Sequence, residues 1–191
     1  MMRLTPQAFW YLRHGETDWN AQNLAQGRTE VPLNAVGRAQ ADAAAALLRG
    51  RGIRTIVAST LGRARETAEI AAAAIGLPVH FDPALQEVSF GDHEAKPMLA
   101  AWFDDWVAER YTPAGGESFA ELRDRAVGAV NRALLLDAPV LIVAHGAVFR
   151  ALRSAMGLEP GVRLANGTPF FCQPPSGHGP WSLLPAKTNA A

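Results

Sequence analysis

Two apolar segments of the chain end in the same pair of residues, a histidine followed by a glycine. The first is WYLRHG at residues 10–15, and the second is LIVAHG at residues 141–146. Both are typical of β-strands, and ligands of open α/β sheets bind beyond the carboxyl ends of the strands. We therefore expect His14 and His145 to face one crevice, provided that their strands are neighbours. The glycine after each histidine would let the backbone turn sharply and approach a ligand closely.

Two arginines are placed so that they could join these histidines around an anion. Arg13 directly precedes His14, and Arg63 falls in the first turn of a predicted helix whose N-cap would be Ser59 or Thr60. A cation opposes the helix dipole at this end. The position therefore indicates an anion held by backbone N–H groups and Arg63 together, the alternative being a solvated arginine paired with a nearby glutamate. One guanidinium group can donate two parallel hydrogen bonds to two phosphate oxygens, so the sequence predicts a phosphate site.

The elements that must position these residues alternate between strands and helices. Apolar, β-rich runs predict strands at 8–12, 55–58, 79–81 and 139–144, with weaker ones near 168–172 and 181–184. Alanine-rich stretches predict helices at 37–50, about 62–75, about 117–136 and about 147–156. Gly76 and Gly157 are expected to end two of them. This alternation predicts an α/β sheet with helices packed on it.

The length of 191 residues predicts one domain, residues 1–191, with a substantial core. Within it, the irregular segment 86–116 contains the aromatic stretch WFDDW and the turn sequence PAGGES. We expect this segment to form an inserted lobe or a lid.

The balance of charge excludes several classes of partner. The 18 basic and 18 acidic residues cancel, so no overall field favours a nucleic acid or a membrane surface.

No apolar stretch approaches the roughly 18 residues of a membrane span, and no secretory signal is recognisable. Cys172 is the only cysteine, which is compatible with a reducing cytoplasm. We expect a cytoplasmic protein, monomeric or homodimeric, that binds a small phosphorylated metabolite or inorganic phosphate.

Other kinds of phosphate chemistry lack their motifs. Neither Gly-x-x-x-x-Gly-Lys-Ser/Thr nor Gly-x-Gly-x-x-Gly occurs, and Cys172 is not followed by the arginine that a cysteine-nucleophile loop needs. The histidines are scattered, and the two at strand ends have arginine-rich company, which repels a metal ion. We therefore predict no metal and no cofactor.

Six motifs follow one another between residue 9 and about residue 156: LRHGETDWN, QGRTEVPLNAVGRAQA, STLGRARETA, LQEVSFGDHE, GGES and VAHGAVFRAL. Together they resemble the histidine phosphatase superfamily, in its phosphoglycerate-mutase-like branch; NGTP at 166–169 is a weaker match. The resemblance implies a three-layer α/β/α sandwich with a mostly parallel central sheet. The chain departs from the family at Glu30, which replaces the usual Asp. It departs again at His93 and Ala95, where Trp or Leu and Gly are common, and these three positions bear on substrate preference.

The resemblance implies that His14 is the nucleophile and forms a phosphohistidine. A neutral imidazole is a competent nucleophile near pH 7, because its ordinary pKa is about 6.5. Arg13, Arg63 and His145 would bind the phosphoryl oxygens, and the anion would favour His145 as imidazolium.

Further family positions line the phosphate and the substrate mouth: Asn20, Gln26 and Gly27. Without the resemblance, Asn20 could equally be a simple turn residue. The resemblance makes Glu87 the general acid that protonates the leaving oxygen, and its apolar neighbours would favour the neutral carboxyl group by burial. Without it, Glu87 would be a solvated loop carboxylate, and Glu16 and Glu94 are alternatives for the same role.

Phosphatase and mutase remain to be separated. Mutases of this family carry a basic insertion after the general acid, whereas the cations here are Lys96 and Arg110. Arg150 and Arg153, on the helix after His145, are expected to be surface cations. A weakly basic, open mouth would release product and let water attack the phosphohistidine, so we predict a phosphatase. A mutase is the alternative, followed by a phospho-ligand-binding module without catalysis.

Overall fold

The central sheet has six strands among the residues that this computed structural model describes, 2–177 and 179–187. The strands are β1 (Phe9–Arg13), β2 (Thr55–Ala58), β3 (Val79–Phe81), β4 (Val140–Ala144), β5 (Pro169–Gln173) and β6 (Ser182–Pro185). Their spatial order is β3-β2-β4-β1-β5-β6. The first four are mutually parallel, and β5 and β6 are added antiparallel at one side. All six predicted strands are therefore confirmed to within one or two residues.

The helices are α1 (Asp18–Ala21), α2 (Ala35–Leu48), α3 (Gly62–Ile75), α4 (Ala100–Val107), α5 (Phe119–Ala133) and α6 (Gly146–Ala155). Local sequence sets several of their ends. Ser118 and Glu121 form a capping box at the start of α5, which satisfies otherwise unpaired N–H groups. Gly76 ends α3 in the left-handed region, with φ of 81°, where glycine has no steric penalty.

Alternate residues of β1 enter two separate apolar clusters. Phe9 and Tyr11 pack in the cluster that includes α5 and α6, whereas Trp10 and Leu12 pack in the cluster that includes α2 and α3. The period of two follows from the pleat of a strand. Helices therefore cover both faces of the sheet, and the predicted three-layer α/β/α sandwich with a mostly parallel sheet is confirmed.

The segment 86–116 packs its aromatic side chains into the core on the α5–α6 face. Phe90, Phe103 and Trp106 belong to that apolar cluster, and the Trp106 ring meets the Phe119 ring edge-on at 5.1 Å. The segment contains α4 and a short 3₁₀ turn, Gly91–His93. One domain spanning residues 1–191 and movement of this segment as a lid both stay predictions.

Ala95 has a φ of 65°, a left-handed conformation that is costly for any residue with a Cβ. This is the position at which the resemblance predicts glycine. We expect Ala95→Gly to raise the free energy of unfolding by about 0.5–1 kcal/mol, since relief of the Cβ clash exceeds the entropy that glycine adds to the unfolded chain. Urea unfolding measures this change. Ala101→Gly, at an exposed helical position of α4, is the matched control and should cost about 1 kcal/mol. A stability of Ala95→Gly at or below that of the parent would contradict the strain.

Candidate active site

The register of the parallel strands places the two histidines side by side. Arg13 at the end of β1 pairs with Ala144 at the end of β4, so His14 and His145 leave the sheet at the same level. The His14 N–H donates to the Ala144 carbonyl at 3.0 Å, and the two imidazole centroids are 5.2 Å apart. The two histidines therefore lie together at the carboxyl ends of the strands, and neither is among the residues that line the cavity described below.

The glycine after each histidine allows the close approach of another part of the protein, whereas the sequence analysis expected close approach of a ligand. A Cβ on Gly15 would lie 2.2 Å from the backbone oxygen of Gly37, so Gly15 lets α2 approach the loop that follows His14. A Cβ on Gly146 would lie 3.3 Å from the guanidinium carbon of Arg13. Both glycines make room for protein groups that build the site.

His14 has one ring nitrogen engaged and one free. Its Nδ1 lies 2.7 Å from the Gly15 carbonyl oxygen, and because a carbonyl only accepts, Nδ1 carries the hydrogen. Its Nε2 has no hydrogen-bond partner within the described ranges. Burial, followed by the positive charges of Arg63 and Arg13, holds the pKa of His14 well below its ordinary value. The imidazole is therefore neutral near pH 7, with the lone pair on Nε2.

Ser59 orients His145. The Ser59 hydroxyl lies 2.7 Å from His145 Nε2, and it also accepts a hydrogen bond from the Leu61 N–H at 3.3 Å. The Nδ1 of His145 is buried and has no partner in the described parts of the chain. Burial, then Arg63, His14 and Arg13, hold the pKa of His145 well below its ordinary value. In the protein by itself His145 is thus neutral, and the imidazolium expected beside a bound anion stays a prediction.

The two buried arginines are held by carbonyl oxygens. Arg63 donates to the backbone oxygens of Thr29 at 2.9 Å and Gly27 at 2.7 Å, and Arg13 donates to that of Leu164 at 2.6 Å. Neither forms a salt bridge with any described residue, and the Nε of each is buried without a partner. Burial lowers the pKa of Arg13 to about 10, so it remains charged at neutral pH. The positive charge is fixed in position but not neutralised.

The start of α3 differs from the prediction. Its N-cap is Leu61, not Ser59 or Thr60, and Leu61 makes no side-chain cap hydrogen bond. The carboxylate of Glu30 instead accepts the Gly62 N–H, at 3.0 Å to Oε2. A side-chain carboxylate therefore lies at the helix end where the sequence indicated a bound anion.

Asn20 lies on the cavity wall and is tied to the His14 loop. It forms a capping box with Thr17 at the start of α1. The side-chain amide of Asn166 donates to Asn20 Oδ1 at 3.1 Å and to the His14 carbonyl at 3.0 Å. Asn20 thus fits both interpretations made from the sequence: it is a turn residue, and it also lines the cavity.

Gln26 and Gly27 act behind the cavity rather than on its wall. The buried Gln26 accepts a hydrogen bond from the Thr17 hydroxyl at 3.0 Å. Gly27 has a φ of 54°, and a Cβ there would lie 2.0 Å from an oxygen of Glu94. Since its carbonyl also accepts from Arg63, Gly27 helps to fix that guanidinium group.

Glu87 is the carboxylate that reaches the cavity. Its Oε1 accepts the N–H groups of Val88 at 3.0 Å and Val148 at 3.2 Å, and its Oε2 accepts only that of Ala147 at 3.0 Å. Two of these donors belong to the first turn of α6, which favours negative charge. The side chain is held in one orientation, with one lone pair of Oε2 unused.

The two alternative carboxylates have structural contacts. Glu94 accepts hydrogen bonds from the backbone of Arg28, Thr29 and Phe90 and from the Thr29 hydroxyl. Glu16 accepts one from the Asn34 side chain at 3.1 Å. Neither lines the cavity that Glu87 lines.

The cavity at this end of the sheet has a volume of about 240 Å³. It is lined by Arg13, Asn20, Asn23, Leu24, Glu87, Phe90, Met98, Phe103, Gly146, Ala147, Arg150 and Arg163. Lys96 and Arg110, the cations counted from the sequence, are not among them, whereas Arg150 and Arg163 are. The expectations of a weakly basic mouth and of Arg150 as a surface cation are therefore wrong.

Sequence reasoning missed Arg163 on the cavity wall, and it gave three further residues no role in the site. Ser59 directly follows β2, as the two histidines follow their strands, so the same strand-end argument could have found it. Arg150 is three residues from Ala147 on α6, a spacing that puts both on one helix face. Arg125 of α5 donates to the carbonyl oxygens of Ala84 and Gln86, each at 2.8 Å, and so anchors the strand-to-loop segment before Glu87; no signal in the sequence points to it.

Two negative findings concern the described ranges only. There, no group of three or more His, Cys, Asp or Glu side chains is placed to hold a metal ion. In the same ranges, every helix is too short or too polar to cross a bilayer.

Comparison with known proteins defines the class. The model of the histidine phosphatase superfamily (branch 1) matches residues 9–166, which is most of the chain. The protein belongs to the histidine phosphatase superfamily, and the predicted family is confirmed.

Particular relatives narrow the comparison. A probable phosphoglycerate mutase of Yersinia enterocolitica is 41% identical over 160 residues, which cover 78% of this chain and 74% of the relative. A glucosyl-3-phosphoglycerate phosphatase of Mycolicibacterium vanbaalenii is 36% identical over 164 residues, covering 76% and 72%. The solved structure of a mycobacterial glucosyl-3-phosphoglycerate phosphatase complexed with VO3 superposes with a TM-score of 0.80 at 30% identity, over 93% of this chain and 97% of that chain.

The lowered pKa values of His14 and His145 predict how stability depends on pH. Below about pH 6.5 the unfolded histidines take up protons that the folded ones do not, so stability falls as the pH is lowered. The slope is up to about 1.4 kcal/mol per pH unit for each histidine. Urea unfolding between pH 7.5 and 5.5 measures it, and His14→Gln should remove one histidine's share. An identical slope in parent and variant would contradict the lowered pKa of His14.

Proposed function

We propose that the protein is a phosphatase that hydrolyses a small phosphomonoester through a phosphohistidine on His14. The observation that carries the proposal is the state of His14: a neutral ring, oriented by its Nδ1–H, with Nε2 free beside two uncompensated arginines. A fixed nucleophile and fixed positive charge are what phosphoryl transfer requires of a protein.

In the first step, His14 Nε2 forms a bond to phosphorus while the bond from phosphorus to the ester oxygen breaks. Charge on the phosphoryl oxygens is stabilised by Arg13 and Arg63, whose carbonyl partners keep them in place without neutralising them. Because these groups are already positioned, they need little reorganisation during the reaction.

His145 supplies a further hydrogen bond to the phosphoryl group. If the Ser59 hydroxyl donates to Nε2 while accepting from the Leu61 N–H, the hydrogen of the neutral ring lies on Nδ1. That Nδ1–H is the unpartnered group and can donate to a phosphoryl oxygen. A bound dianion also opposes the effects that lower the pKa of His145.

Glu87 moves the protons of both steps. The unused lone pair of Oε2 is where a proton can be held. The carboxyl group donates this proton to the leaving alkoxide. In the second step, Glu87 takes a proton from the water that attacks phosphorus, and the bond to His14 breaks to release inorganic phosphate.

We further propose that no metal takes part, because guanidinium and imidazole groups supply the positive charge that a metal would otherwise provide. The substrate is a small phosphorylated metabolite, as the cavity volume of about 240 Å³ suggests. We assign the protein to the cytoplasm because its single cysteine, Cys172, is buried and free, which is compatible with a reducing compartment.

A mutase is the second candidate, and one observation favours it. Arg150 and Arg163 make the cavity more basic than the sequence indicated, and positive charge would retain a phosphorylated product. Incubation with 3-phosphoglycerate separates the two, since a phosphatase releases inorganic phosphate whereas a mutase forms the 2-phosphate isomer.

Replacement of the nucleophile tests the covalent step. We expect His14→Ala to lose turnover by at least about 10⁴-fold, and rapid quenching of the parent with a ³²P-labelled substrate should trap label on His14. His80→Ala, at an exposed position of edge strand β3, is the matched control and should keep full activity. All assays contain a chelator, and activity that depends on an added divalent ion would contradict metal independence. Substantial turnover by His14→Ala would end the covalent mechanism.

Replacement of the proton donor tests Glu87. We expect Glu87→Gln to slow alkyl phosphates by about 10²–10⁴-fold and 4-nitrophenyl phosphate much less, because nitrophenolate leaves without a proton. The ratio between the two substrates is the readout, since the amide also disturbs the backbone contacts of the carboxylate and lowers both rates alike. Equal losses would make Glu87 a structural residue.

A further inference from the structure

The cavity contains two arginines that the proposed mechanism does not use. Arg150, on α6, and Arg163, in the loop before β5, line it together with Arg13 and Glu87. Among the described residues neither has an acidic partner within salt-bridge distance. Three guanidinium groups therefore share a small cavity with a single carboxylate.

Arg150 is held in place by neutral contacts. It donates to the carbonyl oxygens of Pro160 and Gly161, and its guanidinium carbon lies 4.8 Å from the centroid of the Phe103 ring. These contacts restrict the side chain while leaving its charge uncompensated. The group is thus oriented in advance for a ligand, at a lower entropic cost on binding.

Arg163 is exposed, and the described residues offer its side chain no hydrogen bond. Burial is the main cause that lowers the pKa of Arg13 and of Arg150, and the charge of Arg163 adds to it in both. Arg163 therefore acts on both neighbours across the cavity. Mutual repulsion of this kind is relieved when an anion binds between the groups.

The mechanism accounts for only part of this charge. The phosphoryl group is bound by Arg13, Arg63 and His145, which adjoin the nucleophile. Arg150 and Arg163 thus remain for another part of the ligand. The rest of the cavity wall is largely apolar and suits a short carbon skeleton: Leu24, Phe90, Met98 and Phe103.

We propose that Arg163 and Arg150 form a second anion-binding subsite, and that the substrate is a phosphomonoester bearing a carboxylate on its carbon skeleton. The inference rests on the proposed function and names its substrate class. A planar guanidinium group can donate two parallel hydrogen bonds to the two oxygens of a carboxylate.

Two substrates that differ in one group test the subsite. 3-Phosphoglycerate and glycerol 3-phosphate are both esters of a primary alcohol, and only the first has a carboxylate in place of a hydroxymethyl group. We expect the parent to prefer 3-phosphoglycerate by about tenfold in kcat/KM, mainly through KM, because a charged hydrogen-bonded pair contributes to binding at the distal group. Equal kcat/KM values would overturn the proposal.

Variants assign this preference to the arginines. Arg163→Gln should reduce the preference to about threefold or less, and Arg163→Glu should abolish it; the readout is the ratio of the two kcat/KM values within each variant, because a general effect on the site lowers both values alike. The matched control is Arg153→Gln. Arg153 lies on α6, its side chain donates to the Glu159 carbonyl at 2.7 Å, and it does not line the cavity. A preference that Arg163→Gln leaves unchanged, or that Arg153→Gln lowers equally, would overturn the subsite.

Calorimetric binding separates failure of the subsite from failure of the proposed function. If neither compound is hydrolysed, and 4-nitrophenyl phosphate is not hydrolysed either, the phosphatase function is wrong. Tighter binding of 3-phosphoglycerate than of glycerol 3-phosphate, lost in Arg163→Gln, would then still support the subsite. Equal binding of the two compounds would overturn it. Hydrolysis of both at equal kcat/KM would overturn the subsite alone.

Discussion

The parallel register of the three central strands is the constraint on which the site depends. β4 lies between β1 and β2, and the residues that follow these strands are His14, His145 and Ser59. The His14 and Ser59 N–H groups each donate to a β4 carbonyl at 3.0 Å, so the ladder continues one residue past the strands on both sides. A slip by one residue would send each of these side chains to the opposite face of the sheet. The nucleophile, the second histidine and its hydroxyl partner are thus positioned by the backbone hydrogen bonds of the sheet.

Uncompensated positive charge is the second feature of the site, and it is costly. A buried guanidinium group without a carboxylate loses several kcal/mol of hydration that no ion pair returns. Carbonyl oxygens of the loops at Gly27, Thr29 and Leu164 satisfy part of this demand, but they leave the net charge free to act on a ligand. Burial, followed by the same charge, holds the pKa of both histidines below its ordinary value, so the groups that stabilise a bound anion also help to keep the nucleophile neutral.

The hydrogen-bond donors around each carboxylate near the site decide whether its role is structural or chemical. Glu94 accepts several hydrogen bonds and holds the loop that carries Gly27 against the segment after Phe90. Glu30 occupies the start of α3, and Glu87 alone among the three combines fixed backbone donors with a place on the cavity wall. Three residues of one type thus differ in role because their surroundings differ, which no count of acidic residues could reveal.

The sequence alone determined the α/β order of elements, the family and the two strand-end histidines, because these depend on local patterns of apolar residues and on motifs read along the chain. It could not determine that Ser59 serves His145 instead of capping α3, or that Arg163 joins Arg150 on the cavity wall. Ser59 and His145 are 86 residues apart, and Arg163 lies in a loop whose path is set by packing across the sheet. Such contacts arise from the register of neighbouring strands and from the docking of loops onto them. The tertiary structure alone therefore decided which charges face the ligand, since burial and distance, and not residue type, determine what a charged group does.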